Sequence, residues 1–336
     1  MSHPQAVSRT EKLQAARQFI RDAPLPAMAF ALAARDLSWT QARDFVFGLA
    51  AQNYFQLDDS VLDQFTAARD ADGKVVVTPP AEPPAGSGSS AAHTGMFSIR
   101  PDIISGLQVL YISKFTAASD IAGTVRRGVL RNLDPRFLVL LAWLCEMLRT
   151  RWGATTLYDL GFGGDENHSG NNAHHWGRAF DLAGVGGEVG WGRYDITVLK
   201  HWGKQPVTMP ADFGPINPAT REHRYKKGQR YPQWPDGFEQ TDYRIALPDD
   251  PDAFMKRTLE MPAQVDYASR VFADIYQTAA IEGKDTASPQ ARPTSIGKES
   301  RFIIHPDHPN TGLRTHHRDH FHIQVGPTEH AGFWRS

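Results

Sequence analysis

Two short stretches of this chain carry residue types that can hydrolyse a polar bond. The first is Asn172-Ala-His174-His-Trp-Gly177-Arg-Ala179-Phe-Asp181-Leu, and the second is Asp319-His320-Phe-His322-Ile-Gln-Val-Gly326. His320 and His322 are two apart, so on a strand both imidazoles share a face while Ile323 and Val325 turn to the core. The same alternation puts Ala179 and Asp181 on one face and Phe180 and Leu182 on the other, so a carboxylate projects from an otherwise apolar strand. Gly177 permits a turn or a tight approach between His174 and that strand. The small Ala179 leaves room beside a metal. His174, Asp181 and His322 together offer two nitrogens and one carboxylate oxygen. That donor set suits one catalytic zinc per chain, with a fourth position open to water. A lone loop histidine is ordinarily a surface residue; what points to a metal here is the two motifs occurring together.

His174-x-x-Gly177-x-Ala179-x-Asp181 followed by Asp319-His320-x-His322 resembles the zinc metallopeptidases grouped around lysostaphin, the D-alanyl-D-alanine peptidases and the hedgehog zinc domain. Within that group it looks most like the D-Ala-D-Ala carboxypeptidase-like and penicillin-insensitive murein endopeptidase branches. The resemblance covers the two motifs and the helix–strand order between about 130 and 327. It implies zinc held by His174, Asp181 and His322. In the carboxypeptidase branch an acidic residue three positions before the last zinc histidine acts as general base, and Asp319 stands there. In branches with an HxH, the first histidine sits beside the attacking water, and His320 stands there. The reading favours Asp319 as base and His320 as oxyanion stabiliser, with the reverse left open. For both to reach one site, Asp319 must lie where the chain enters the strand. Asn172 replaces the serine often found two positions before the first histidine. Asn172, His316 and His317 are the candidate substrate-binding residues. The stretch from Gly161 to Asn167 lacks the arginine that carboxypeptidases use for a terminal carboxylate, which leaves endopeptidase activity more open.

The implied function is hydrolysis of a peptide bond in peptidoglycan stem peptides or cross-bridges. Two alternatives stand beside it: a catalytically silent zinc-binding interaction module, and a zinc peptidase or amidase on a non-wall substrate. Residues 23–34 make a poor secretory signal, because acidic residues precede them and two prolines interrupt them. The expectation is synthesis in the cytoplasm and action in the periplasm or wall, after lysis or specialised export.

The elements that must position these residues read as an α+β fold. The expected architecture is an antiparallel-sheet zinc peptidase domain (95–336) with flanking helices, preceded by a small helical module (1–77) and a Pro/Gly/Ser linker (78–94). Ser8-x-x-Glu11 and Ser38-x-x-Gln41 are capping boxes that open two helices. A third short helix is expected over 60–68. This module could dock to a secretion machine or to the wall. Asp134-Pro135 starts a strong helix that Gly153 can end, and 155–162 reads as a strand. Residues 107–115 suit a strand or short helix. Residues 204–262, rich in Pro, Gly, Tyr and Trp, read as a loop-rich insertion, 263–282 as an amphipathic helix, 284–299 as a loop, and 301–305 and 320–325 as strands.

Composition narrows the classes. The chain has 336 residues, 36 Lys plus Arg against 37 Asp plus Glu, and a formal net charge of −1. That balance argues against nucleic-acid binding driven by global charge. The single cysteine, Cys145, excludes an internal disulfide and a cysteine-based zinc site, and its place in an apolar helix reads as core. No stretch is long and apolar enough to suggest a membrane span. Of the 14 histidines, seven fall between His305 and His330.

Overall fold

The computed structural model describes residues 6–25, 37–82, 95–112, 123–162, 173–174, 177–190, 192–202, 204–205, 243–244, 263–280, 301–306 and 316–325. Asn172, the loop expected at 284–299 and nearly all of the 204–262 insertion lie outside them. Among the described residues, no helix is long and apolar enough to cross a membrane.

The chain opens with α1 (Arg9–Arg21) and α2 (Trp39–Ala51). Both begin at the expected capping boxes: the Ser8 and Ser38 side chains accept from the backbone N–H of Glu11 and Gln41, whose side chains accept in return. α3 is one turn, Asp59–Leu62. The expected helix to residue 68 does not form. Residues Thr66–Arg69 (β1) instead pair antiparallel with Val75–Thr78 (β2). Three consecutive valines favour a strand, and Asp70 closes the turn by accepting from the N–H groups of Asp72 and Lys74.

Residues 95–105 are bound to this N-terminal segment. β3 (Phe97–Ile99) and β4 (Ile103–Ile104) follow one another here. The N–H of Asp58 donates to Ser98 O, that of Arg100 to Gln56 O, and that of Ser105 to Tyr54 O. Phe97 packs against Phe47 and Trp39 at ring separations of 5.7 and 6.4 Å. β5 (Leu107–Ile112), β6 (Thr124–Arg126) and β7 (Leu130–Leu133) come next.

The long helix α4 (Pro135–Trp152) starts and stops as expected. Asp134 accepts from the Arg136 N–H, Pro135 takes the first turn, and Gly153 ends the helix with a φ of 60°. Its apolar residues are buried nearly all round, because α2 packs on one side and the sheet on the other. Cys145 lies fully buried in this helix, and burial pushes its thiol up, as expected of a core residue.

β8 (Ala154–Phe162), β9 (Ala179–Val189) and β10 (Gly192–Thr197) lead to α5 (Val198–His201) and to β11 (Lys204–Gln205), which pairs with β12 (Tyr243–Arg244). Then come α6 (Ala263–Ala280), β13 (Arg301–Ile304) and β14 (Phe321–Val325). The main sheet runs β13-β14-β9-β8-β5-β4, with β10 also on β9 and β6 on β5. The fold is α+β, as expected, but the sheet is mixed rather than purely antiparallel. β5 and β8 are parallel, since the chain between them crosses over through α4. One edge of β9 is shared: β14 pairs with residues 179–182 and β10 with residues 184–189.

Candidate metal centre

The site forms where β14 lies along the start of β9. The register sets His322 opposite Asp181 and Gln324 opposite Ala179, with Ile323 opposite Phe180. Directly opposed residues share a face. Phe180, Ile323 and Leu182 therefore enter the core beside α4, and Asp181 and His322 project from the other face.

His174 reaches this face through a fixed turn. The Gly177 N–H donates to His174 O, the Arg178 N–H to Ala173 O, and the Asp134 N–H to Gly177 O. Gly177 has a φ of 65°, and a Cβ there would overlap the Asn132 carbonyl. Both facts restrict the position to glycine. The turn is thereby pinned to the start of α4, whose own cap is Asp134.

The three donors converge. Asp181 Oδ1 lies 3.0 Å from His322 Nδ1 and 3.2 Å from His174 Nε2, and the two ring nitrogens are 3.1 Å apart. All three ligand atoms fall within 4.8 Å of one another, and the residues are buried. Burial pushes the Asp181 carboxyl up, but the His174 and His320 rings and the hydrogen bonds of His174 and His322 outweigh it and hold it well below the usual carboxylate range. A mixed set of two imidazoles and one ionised carboxylate suits zinc, and three ligands leave a position for water or substrate.

Asp319 and His320 lie in the bend that precedes β14; Asp319 was expected at the entry to the strand, whereas His320 was expected on the strand itself and stands just before it. His320 Nε2 stands 3.5 Å from Asp181 Oδ1, at the edge of the three-ligand cluster. Its other nitrogen donates to Asp319 Oδ1 at 2.7 Å. Asp319 thus reaches the centre through His320. Burial pushes the His320 ring down, but the Asp181 charge and the Asp319 hydrogen bond more than compensate and raise it above its ordinary value.

Of the candidate substrate residues, His317 comes close: its ring lies 5.0 Å from that of His320 and 5.5 Å from that of His322. His316 is exposed on the same turn, and Asn172 falls outside the described residues. Arg178 is fully buried rather than turned into the site. Burial, offset by Asp134 and deepened by Arg136, pushes its guanidinium down to about 9. The sequence reading missed Gln324. It is buried, and its Oε1 lies 3.0 Å from His322 Nε2. The signal was present in the sequence, since Gln324 is two positions past His322 and so shares its face. Behind the strand, Trp202 packs its ring 4.7 Å from Phe321 and 5.7 Å from His305, which accounts for that histidine as a packing residue.

No family model matches the chain, no curated protein matches it, and no solved structure matches it.

Proposed function

We propose that this protein is a zinc-dependent peptidase that hydrolyses a peptide bond in peptidoglycan stem peptides or cross-bridges. The observation that carries the reading is the convergence of His174 Nε2, Asp181 Oδ1 and His322 Nδ1 beside a hydrogen-bonded His320–Asp319 pair. The wall substrate rests on the likeness of the two motifs to murein peptidases.

His174, Asp181 and His322 would hold the ion. Zinc there would supply Lewis acidity to polarise the scissile carbonyl and to make water easier to deprotonate near neutral pH. His320 takes the proton from the attacking water and later gives it to the leaving amine. Asp319 fixes the His320 ring by accepting from Nδ1 and stabilises it once protonated. The hydrogen bond between them favours this assignment over Asp319 acting directly as base. The protonated ring would then stabilise the oxyanion until it gives up its proton. The ligand residues are buried, which strengthens each of these interactions.

The test is a digest of purified peptidoglycan by metal-replete protein, with mass spectrometry of the released muropeptides and an Asp181→Ala control. New fragments made only by the intact site, with masses that locate the cut bond, are the expected result. A protein that binds one zinc per chain and cleaves no wall type would instead be a binding module or a peptidase for another substrate. A protein that binds no zinc would sink the reading.

A further inference from the structure

His322 presents its two nitrogens to different neighbours. Nδ1 lies 3.0 Å from Asp181 Oδ1 and 3.1 Å from His174 Nε2. Nε2 lies 3.0 Å from Gln324 Oε1. In a neutral imidazole only one nitrogen carries the proton, and the bond made by the other side sets which. With the proton on Nδ1, the ring is a donor to Asp181 and has no lone pair for the cluster. With the proton on Nε2, the Nδ1 lone pair faces His174 and Asp181.

We propose that Gln324 is a positioning residue: its side-chain oxygen accepts from His322 Nε2–H and so commits the Nδ1 lone pair to the three-ligand centre. This rests on the reading that His174, Asp181 and His322 bind zinc. Three features of the fold support the role. Gln324 is 1% exposed, so its amide must be satisfied inside the protein. It stands two residues past His322 on β14, which puts both side chains on one face. Its register partner is Ala179, whose side chain is only a methyl group. A neutral acceptor has a further merit here. It orients the ring without placing another negative charge beside Asp181.

The proposal is tested with the full chain and its Gln324→Leu and Gln324→Glu variants, each checked for folding by circular dichroism. The His322 tautomer, and with it the nitrogen that ligates the ion, is read from ring 15N shifts in zinc-saturated, histidine-labelled protein. A His322→Gln sample assigns the signals. Zinc affinity is read by competition with a chromophoric chelator. Wild type should hold the Nε2–H form. Gln324→Leu should lose that preference and bind zinc about 10- to 100-fold more weakly. Gln324→Glu should restore both. A Gln324→Leu protein that keeps the Nε2–H form, or binds zinc within about twofold of wild type, overturns the proposal. If Gln324→Leu does not fold, Gln324→Glu decides alone: a retained Nε2–H form supports the role and a switched tautomer ends it. If wild type binds no zinc, the zinc reading fails and this proposal falls with it.

Discussion

At the residue scale, the proposed centre separates groups that would hold an ion from groups that would move a proton. Asp181→Ala removes one of the proposed ligands, so zinc stoichiometry measured after dialysis should fall from one per chain to near zero. His320→Ala leaves the three ligand atoms in place. It should retain zinc while losing about 10²- to 10⁴-fold in kcat, the usual contribution of a general base. Equal loss of metal in both variants would mean that His320 is itself a ligand. Gly177→Ala tests the turn. A methyl group there meets the Asn132 carbonyl at a φ of 65°, so the turn must open and carry His174 away. Chelator competition should show zinc binding weakened by at least about tenfold, alongside a strain cost of roughly 1–3 kcal/mol in denaturant unfolding.

At the element scale, polar links join the helices to each other and to the hairpin. Asp274 on α6 is nearly fully buried and accepts from Trp152 Nε1 at 2.8 Å as well as from the more exposed Arg151. Asp274→Ala strands the indole N–H and should cost about 1–3 kcal/mol in urea unfolding. Arg151→Ala should cost less than about 1 kcal/mol, since the exposed guanidinium is screened by water. At the other end, the Ser8 N–H and hydroxyl donate to Glu11, whose other oxygen accepts from Arg69 on β1. The Ser8 backbone bond first, then Arg69 and the Ser8 hydroxyl, lower the Glu11 carboxyl to about 2. A depressed folded-state pKa gives stability that is present above the unfolded value and is lost as pH falls through the folded one. Glu11→Ala should therefore lower Tm at neutral pH, and its gap to wild type should narrow between about pH 4 and about pH 2 in a thermal-melt series.

At the scale of the whole molecule, the N-terminal helices and the sheet share one hydrophobic core through α4. Backbone bonds from residues 54–58 to 98–105 and the Phe47–Phe97 contact join the two parts. A chain begun at residue 95 would expose the face of α4 that α2 covers, together with Phe97 and Ile99. Such a truncation is expected to be insoluble or to bind hydrophobic dye, whereas the full chain is not. A soluble truncation with native zinc affinity would show that the N-terminal segment is dispensable for folding and free for a separate role.

The local elements were legible where the signal is local. The capping boxes at Ser8 and Ser38, the Asp134–Gly153 limits of α4, and the strand alternation around Asp181 and His322 depend on neighbours a few residues away, and each formed as read. The sequence alone also singled out His174, Asp181 and His322 as one donor set. Long-range pairing decided the rest. The hairpin over 66–78 replaced a helix because β1 found its partner in the Val75–Thr78 strand. β5 and β8 became parallel because α4 carries the chain across between them. The sequence reading favoured Asp319 as base; the hydrogen bond that Asp319 accepts from His320, set by the bend that holds both, is what turns the proposal to His320. The register of β14 on β9, which no local pattern specifies, set His322 opposite Asp181 and Gln324 opposite Ala179.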